Sequence, residues 1–346
     1  MDTNELIFKI IFVVAVFTVS LVVAMYSTYA ERKVAAFLQD RIGPNRAGPF
    51  GILQPMADGV KMFMKEEIIP AKADKFLFIM GPCLMMLTAC MTGVVIPWGS
   101  SLEINGQSYM MQITDVNIGI LYVFAVVSIG VYGIMIGGWA SNNKYSLMGA
   151  LRASAQMVSY ELAMGMAIIA LVMTTGTLSI REIVEQQHGW HWNVIAQPLG
   201  FLLFIVCAFA ECNRTPFDLP ECETELVGGY HTEYSSMKLG FYLFAEYINM
   251  FISAAVISAL YFGGYNMPFL DSFDLSHNTV ALLGTLFYFA KIFFFIFFFM
   301  WIRWTLPRFR YDQLMHLGWK IMIPLAIINV LLTGLFTLWK NGQLHF

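Results

Sequence analysis

The sequence has few charged side chains. Asp, Glu, Lys and Arg make up 12% of its 346 residues, about half the share found in soluble domains. The 20 basic and 23 acidic residues give a net charge of −3, so the chain lacks the basic surplus typical of nucleic-acid-binding proteins. We therefore expect neither a soluble domain nor a nucleic-acid partner.

The motifs that hold nucleotides and redox groups are also missing. No GxGxxG or GxxxxGK[ST] sequence occurs, which excludes the usual loops for dinucleotides and triphosphates. The cysteines form no CxxC pair, so an iron–sulfur cluster, a zinc site or a disulfide framework is not expected; they are Cys83, Cys90, Cys207, Cys212 and Cys222. We predict no metal and no cofactor bound by this chain, so that any redox role must be shared with partners.

Long apolar runs are what the sequence has in abundance. Hydrophobic residues make up 58% of the chain and recur in runs of about 20, the length that crosses a bilayer. This predicts an all-α polytopic membrane protein, a single transmembrane domain over 1–346 with about eight transmembrane helices plus a cytoplasmic-side amphipathic helix. The predicted spans are 5–30, 75–97, 116–140, 152–174, 196–211, 239–262, 279–303 and 318–339.

Basic residues are distributed unevenly between the predicted loops. Sixteen of the twenty fall on the side reached by the first, third, fifth and seventh loops. The positive-inside rule makes that side cytoplasmic, so both termini are expected on the outer side. Its two most charged loops are 31–74 and 212–238. The opposite loops, at 98–115, 175–195 and 263–278, are short and polar, and we assign them no chemistry.

The first cytoplasmic loop is rich in charge, glycine and proline. From Pro55 onward it is predicted to turn helical, with polar and apolar residues on different faces. The polar face would carry Asp58, Lys61 and Lys65, and the apolar face Met56, Val60 and Phe63. This pattern indicates an amphipathic helix at the membrane surface, although charges that only enforce topology stay an alternative.

The stretch from Ala210 to Glu246 concentrates carboxylates at the membrane boundary. Its acids are Glu211, Asp218, Glu221, Glu223, Glu225, Glu233 and Glu246, whereas its basic residues are only Arg214 and Lys238. Acids inside or beside transmembrane helices are costly and usually mark an ion or proton path. We therefore predict that the function lies here.

Three charges, one of them Glu246 of this stretch, are predicted deep within the membrane. Glu161 is expected about 15 Å into the fourth helix and Glu246 about 12 Å into the sixth. Lys291, near the centre of the seventh helix, is the one buried cation expected. A static buried ion pair among these residues stays open beside a role in proton transfer.

Five motifs resemble a known family. They are ERK at 31–33, DRIGPNRAGPFGILQPMADGVKMFMKE at 40–66, GWASNNKYSLMGALRASAQMVSYE at 138–161, AECNRTPFDLPECETELVGGYHTEYS at 210–235 and RWTLPRFRYDQLM at 303–315. They are similar to the H subunit in the membrane part of NADH–quinone oxidoreductase, respiratory complex I, whose mitochondrial counterpart is NADH dehydrogenase subunit 1, and the similarity covers essentially the whole chain. The resemblance implies an enzyme subunit without a redox centre of its own, in the inner membrane of a bacterium.

The resemblance also implies partners, a substrate and site residues. The partners would be the hydrophilic subunits with the last iron–sulfur cluster and the quinone-reduction site, the neighbouring membrane subunits and lipid. Quinone would be a shared substrate that enters between the first, amphipathic and sixth helices. The acidic proton relay would comprise Glu161, Glu211, Asp218, Glu221, Glu223, Glu225 and Glu246, with Lys291 continuing the path. The quinone chamber and docking surface would comprise Glu31, Arg32, Arg41, Arg46 and Asp58.

Three other interpretations stay open. A sister machine fed by ferredoxin or formate would carry an equivalent subunit, although such relatives usually depart further from the RYDQLM and PFDLPE motifs. A stand-alone cation transporter would use Glu161, Glu246 and Lys291, but it needs no Gly/Pro-rich cytoplasmic loop. A structural anchor for the hydrophilic subunits would leave the intramembrane acids without a role.

Overall fold

The computed structural model describes residues 3–104, 106–268 and 276–340, and the chain is helical through most of these ranges. Seven of the described helices are long and apolar enough to cross a membrane, and one further apolar helix is shorter. The helices are α1 (Thr3–Leu38), α2 (Gln54–Met64), α3 (Lys75–Thr92), α4 (Gly119–Ala140), α5 (Lys144–Thr175), α6 (Ile180–Gln186), α7 (Asn193–Ala196), α8 (Pro198–Glu211), α9 (Glu223–Leu226), α10 (Ser236–Tyr261), α11 (His277–Thr305), α12 (Tyr311–His316) and α13 (Ile323–Lys340). The predicted all-α polytopic fold is confirmed.

Two long helices extend well beyond their predicted bounds. α1 continues to Leu38, so the segment expected to leave the helix at residue 31 is still helical. α5 begins at Lys144 rather than at 152, because the Asn143 side chain caps it by accepting from the Tyr145 N–H at 2.8 Å. The apolar runs predicted only the parts of α1 and α5 that are hydrophobic enough to contact lipid. Both helices continue into polar sequence, which hydropathy does not assign to a membrane span.

The amphipathic helix is present as α2. It carries an exposed apolar stripe of Met56, Val60 and Phe63, as predicted. Lys65 was expected on its polar face, but this residue has an extended backbone (φ −74°, ψ 137°) and lies just past the helix. Glu66 and Glu67 follow there, and acids are unfavourable at the negative end of a helix dipole.

A two-stranded hairpin lies between α3 and α4, in a loop that was predicted only to be short and polar. Strands β1 (Ser101–Ile104) and β2 (Gln107–Met110) pair antiparallel. The sequence carried a signal for it, since Asn105–Gly106 is a favoured pair for a tight hairpin turn. The hairpin packs on the start of α11, where the Asn278 side chain exchanges two hydrogen bonds of 2.8 Å with the main chain of Glu103.

The helices are packed to very different degrees. α10 runs through the core, and α3 and α4 approach so closely that a Cβ on Gly133 would lie 3.0 Å from the Gly81 carbonyl oxygen. Small residues of this kind allow helix backbones to touch in membranes. α1 lies against α10 and α11 at the edge, and only 11% of its most apolar stretch is buried, against 50% for α3.

Candidate functional site

A cavity of about 280 Å³ lies between α1, α2, α10 and the loop that follows α8. One part of its wall is apolar and includes Met25, Met62, Leu243, Phe244 and Trp304. The rest is charged and includes Glu31, Arg32, Asp58, Arg214, Glu221, Glu246 and Arg303. The amphipathic helix and the acidic loop, which are far apart in sequence, therefore form one site.

Arg214 lies between two carboxylates at this cavity, one on α1 and one on α10. Its side chain is 6% exposed, and its Nη1 lies 3.5 Å from Glu31 Oε2 on α1. Its Nη2 lies 3.5 Å from Glu246 Oε2 on α10, and the guanidinium stands over the Tyr247 ring at 4.2 Å. Charges this deeply buried are tolerated only when they are paired. Lys291 was predicted to be the cation available to these acids, and this is wrong for Glu246, whose partner is Arg214.

The carboxylates on both sides of Arg214 have further partners. Tyr247 donates its hydroxyl to Glu31 Oε2 at 2.8 Å, and Arg303 of α11 forms an ion pair with the same carboxylate. Tyr230 donates to Glu246 Oε1 at 2.7 Å. Three helices and one loop are thus joined through a single charged network, which we call the Arg214 network (Glu31, Arg214, Tyr230, Glu246, Tyr247 and Arg303).

The Arg214 guanidinium still has unused donors. Neither its Nε nor its Nη2 finds a hydrogen-bond acceptor among the residues that the structure describes, although both atoms are buried. A buried donor without an acceptor is costly. Arg214 also lines the cavity, so these unpaired donors lie next to the space that the cavity encloses.

Asp218 forms a second ion pair, separate from the Arg214 network. Arg308 donates to its Oδ2 at 2.7 Å, and the Asp218 side chain is only 6% exposed. Burial raises the pKa of Asp218 to about 7, the charge of Glu221 acts in the same direction, and Arg308 and Arg214 oppose both. Asp218 can therefore take up or release a proton near neutral pH.

We predict a measurable pH dependence from Asp218. Because its pKa is higher in the folded protein than in the unfolded chain, the folded form binds the proton more tightly, and its stability falls as pH rises from about 4 to about 7. The Asp218→Asn variant lacks this loss, so its stability relative to the parent should rise over that range by up to about 1.4 kcal/mol per pH unit. Infrared difference spectra of parent and variant test this directly: the protonated carboxyl band should persist to near pH 7, and its loss by pH 5 would contradict the assignment.

The remaining predicted acids of the loop differ in their distance from the cavity. Glu221 lines the cavity and has the His231 Nδ1 3.9 Å from its Oε1. Glu225 pairs with Arg152 at 2.6 Å, but its side chain is 52% exposed. Glu223 begins α9, and its side chain lies outside the described part of the chain.

A second acidic group lies deeper in the bundle. Glu161 of α5 accepts from the Ser128 hydroxyl at 2.7 Å, and Glu211 at the end of α8 is close enough for their charges to interact. Glu211 lines a cavity of about 40 Å³ together with Ser253, and within the described residues its Oε2 has no hydrogen-bond donor. Glu161 and Glu211 thus form a separate acidic group, and their place in a proton relay stays a prediction.

Lys291 is held by main-chain carbonyls. Its Nζ donates to Phe262 at 2.6 Å, Gly264 at 2.7 Å and Asn266 at 3.1 Å, all at or beyond the C-terminal end of α10. None of the carboxylates of the described ranges forms an ion pair with it within 4.0 Å. A cation at the negative end of a helix dipole is stabilising, so Lys291 ties α11 to the end of α10.

The residues predicted from the first loop divide into two groups. Arg32 pairs with Asp58 at 2.6 Å across α1 and α2, and both line the cavity beside Glu31. Arg41 donates to Gln39 at 2.7 Å, and Arg41 and Arg46 are exposed away from the cavity. The structure therefore brings Glu31, Arg32 and Asp58 together at the cavity, whereas Arg41 and Arg46 are exposed to solvent.

Sequence reasoning missed several members of the site. These are Arg214, Tyr230, Tyr247, Arg303 and Arg308, which supply the cations and hydroxyls that the acids contact. For Arg214 a signal was present, since it is the only Lys or Arg between Glu211 and Lys238. Buried acids are less stable without a cation among them than with one, so Arg214 could have been predicted to pair with these acids.

Comparison with known proteins identifies what the chain is similar to. A family model described as NADH dehydrogenase matches residues 10–334. The chain is 75% identical over 326 residues to an NADH-quinone oxidoreductase H subunit of Cytophaga hutchinsonii, covering 94% of this chain and 95% of that one. It is 63% identical over 337 residues to the H subunit of the same enzyme from Flavobacterium psychrophilum, with 97% and 98% covered. The corresponding protein from Thermomicrobium roseum is 45% identical over 353 residues, with 99% and 100% covered.

Proposed function

Because this chain belongs to the NADH dehydrogenase family, as a membrane subunit of NADH–quinone oxidoreductase, we propose that its cavity receives quinone from the lipid and that its acids couple quinone reduction to proton movement. Quinone is then a substrate shared with the hydrophilic partner subunits, which supply the electrons. This chain contributes no metal and no cofactor of its own. Ubiquinone or menaquinone would fit this description equally.

The divided wall of the cavity carries the proposal. A quinone has a ring with two carbonyl oxygens and a long hydrocarbon tail. Side chains such as Met25, Leu243 and Phe244 suit the tail, and the free N–H groups of Arg214 suit a carbonyl oxygen. The cavity lies between α1, α2 and α10, the three helices that the family resemblance expects at the quinone opening.

The acids around the cavity are placed to respond to the reaction. Reducing a quinone to a quinol adds two electrons and two protons, so negative charge develops near the ring until protons arrive. Glu246 and Glu221 line the cavity, and Asp218 lies beside Glu221 with its pKa near neutral. We infer that protons redistribute among these groups and then toward Glu211 and Glu161, and that Lys291 continues the path to neighbouring membrane subunits.

The exposed cytoplasmic surface has a separate proposed role. The apolar stripe of α2 (Met56, Val60 and Phe63) is exposed, and Arg41 and Arg46 are exposed close by in sequence. The stripe suits the membrane surface, and the arginines suit docking of the hydrophilic partner subunits. With the charged loops on the cytoplasmic side, both termini of the chain face the periplasm of a bacterial inner membrane.

Two carboxyl-to-amide changes test the proton relay. In Glu221→Gln and Glu161→Gln we expect inhibitor-sensitive NADH–quinone turnover and proton pumping to fall by about tenfold to a hundredfold, because the amide cannot accept the proton. The amount of assembled complex should remain unchanged. Glu182→Gln is the control, since Glu182 lies in α6, away from both acidic groups. Full turnover and pumping in both relay variants would refute the relay.

A further inference from the structure

Gln156 of α5 holds both ends of the segment that carries Arg214. Its side chain is fully buried, and its Nε2 donates to the main-chain carbonyl of Ala210 at 2.9 Å and to that of Phe217 at 2.8 Å. The same atom lies 3.3 Å from Oδ1 of Asn213. Ala210 is in the last turn of α8, and Phe217 directly precedes Asp218. A single amide group therefore closes the loop between them.

Gln156 lies on a face of α5 whose side chains contact α9, α12 and the segment between α8 and α9. Residues four apart share one face of a helix, and here they are Arg152, Gln156 and Tyr160. Arg152 pairs with Glu225, and Tyr160 donates to the Leu314 carbonyl at 3.1 Å while its ring lies 5.3 Å from that of Phe217. Gln156 is the member of this face that donates hydrogen bonds to the main chain at both ends of the loop, at Ala210 and Phe217.

The segment held by Gln156 has only a few further main-chain ties. The Phe217 N–H donates to the Arg214 carbonyl at 2.8 Å, and the Phe309 N–H donates to the Pro216 carbonyl at 3.2 Å. It lies between α8 and α9 outside regular secondary structure, and Asn213 has a left-handed backbone with φ of 49°. Its buried carbonyl groups need donors, because an unpaired buried carbonyl is costly. Arg214 must at the same time reach Glu31 on α1 and Glu246 on α10, so a small shift of the segment would separate both ion pairs.

We propose that Gln156 is a positioning residue for quinone-linked proton transfer. Its hydrogen bonds to the Ala210 and Phe217 carbonyls determine the positions of Arg214 and Asp218. The inference rests on the function proposed above and adds a residue that carries no charge and does not touch the cavity. Its influence passes entirely through the placement of the charged groups. Removal of the amide should therefore change the pH profile and the quinone KM of the enzyme as well as its stability.

The test compares two buried glutamines in the whole membrane complex. Gln156→Leu removes the donor at similar volume. Gln197→Leu is the matched control, because Gln197 is also buried and its Nε2 also donates to a main-chain carbonyl, that of Ala170 at 2.8 Å near the C-terminal end of α5. Per assembled complex, measured by NADH oxidation with a water-soluble acceptor, Gln156→Leu should lower quinone reduction about tenfold and shift its pH profile. Gln197→Leu should leave the rate and pH profile of the assembled complex unchanged.

A conservative variant keeps the test open if Gln156→Leu fails to assemble. Gln156→Glu has nearly the same shape, but it donates to a carbonyl only while it is protonated. It should therefore recover quinone reduction at acid pH and lose it as pH rises. A parental rate, KM and pH profile in Gln156→Leu, or an effect equal to that of Gln197→Leu, would overturn the positioning role.

One further variant separates this inference from the proposed function. If Asp218→Asn lowers quinone-linked turnover and Gln156→Leu does not, only the role of Gln156 fails. If neither variant changes turnover or its pH profile, the acidic loop has no part in the reaction and the proposed function fails with it.

Discussion

The Arg214→Met variant is expected to lose most of its quinone reduction and to be destabilised by about 3–5 kcal/mol. Methionine keeps much of the volume of the arginine stem but removes the cation, so Glu246 loses the one ion pair it forms within the described residues. Glu31 keeps its pairing with Arg303, which makes Glu246 the more affected acid. The amount of assembled complex, its thermal midpoint and its NADH–quinone activity measure the effect.

The control for this change is an arginine in a more exposed pair. Arg152 also pairs with a glutamate, but that partner, Glu225, is 52% exposed, so Arg152→Met should cost about 1 kcal/mol or less. Arg214→Lys should fall between the two, since it keeps the charge without the forked donor geometry. Equal effects of Arg214→Met and Arg152→Met would show that burial of the Arg214 network contributes nothing.

The Gly229→Ala variant should displace the loop that carries Glu221. Gly229 has a left-handed backbone with φ of 59°, and a Cβ there would lie 1.7 Å from the Pro220 carbonyl oxygen and 2.9 Å from the Glu221 Cα. Both obstacles are main-chain atoms, so the loop itself must move. We expect a loss of about 2–4 kcal/mol and a fall in quinone turnover as Glu221 leaves the cavity. Thermal denaturation and activity per assembled complex check both effects.

The neighbouring glycine provides the control for that variant. Gly228 has φ of −152°, and the nearest atom to a Cβ there is the Thr232 hydroxyl oxygen at 3.4 Å, an ordinary contact. Gly228→Ala should therefore behave like the parent protein. If Gly229→Ala were equally silent, the close approach between Gly229 and Pro220 would have no structural importance.

The fold was largely predictable from the sequence because lipid imposes a simple rule on it. Each apolar run must form a helix to satisfy its own backbone, so the positions of the eight apolar helices in the described ranges follow from hydropathy alone. The extra turns of α1 and α5 did not, because their polar residues interact with protein and not with lipid. Glu31 shows the consequence: placed in a loop by its charge, it lies on a helix that faces the cavity.

The site was predictable in its acids but not in the partners of those acids. Glutamate and aspartate next to apolar runs are conspicuous, whereas the tyrosines and arginines that bind them also occur in ordinary helices and loops. Tyr230 and Glu246 are sixteen residues apart, and Arg214 and Glu31 are 183 apart, so no spacing rule connects them. The role of Lys291 as predicted, a link in a polar path, remains a prediction, and its three carbonyl contacts are a finding of the structure.

The uneven packing of the helices has a mechanical consequence. α3 and α4 touch through Gly81 and Gly133, so neither can slide without a collision between backbones. α1 has few such constraints along its outer length, but Glu31, near its inner end, is bound to Arg214, Tyr247 and Arg303. The bundle thus contains two helices, α3 and α4, whose backbones cannot slide past each other, and one helix, α1, that is held mainly through Glu31. Of the helices around the cavity, α1 is therefore the one that we expect to move most readily when a bulkier quinone enters the opening proposed above.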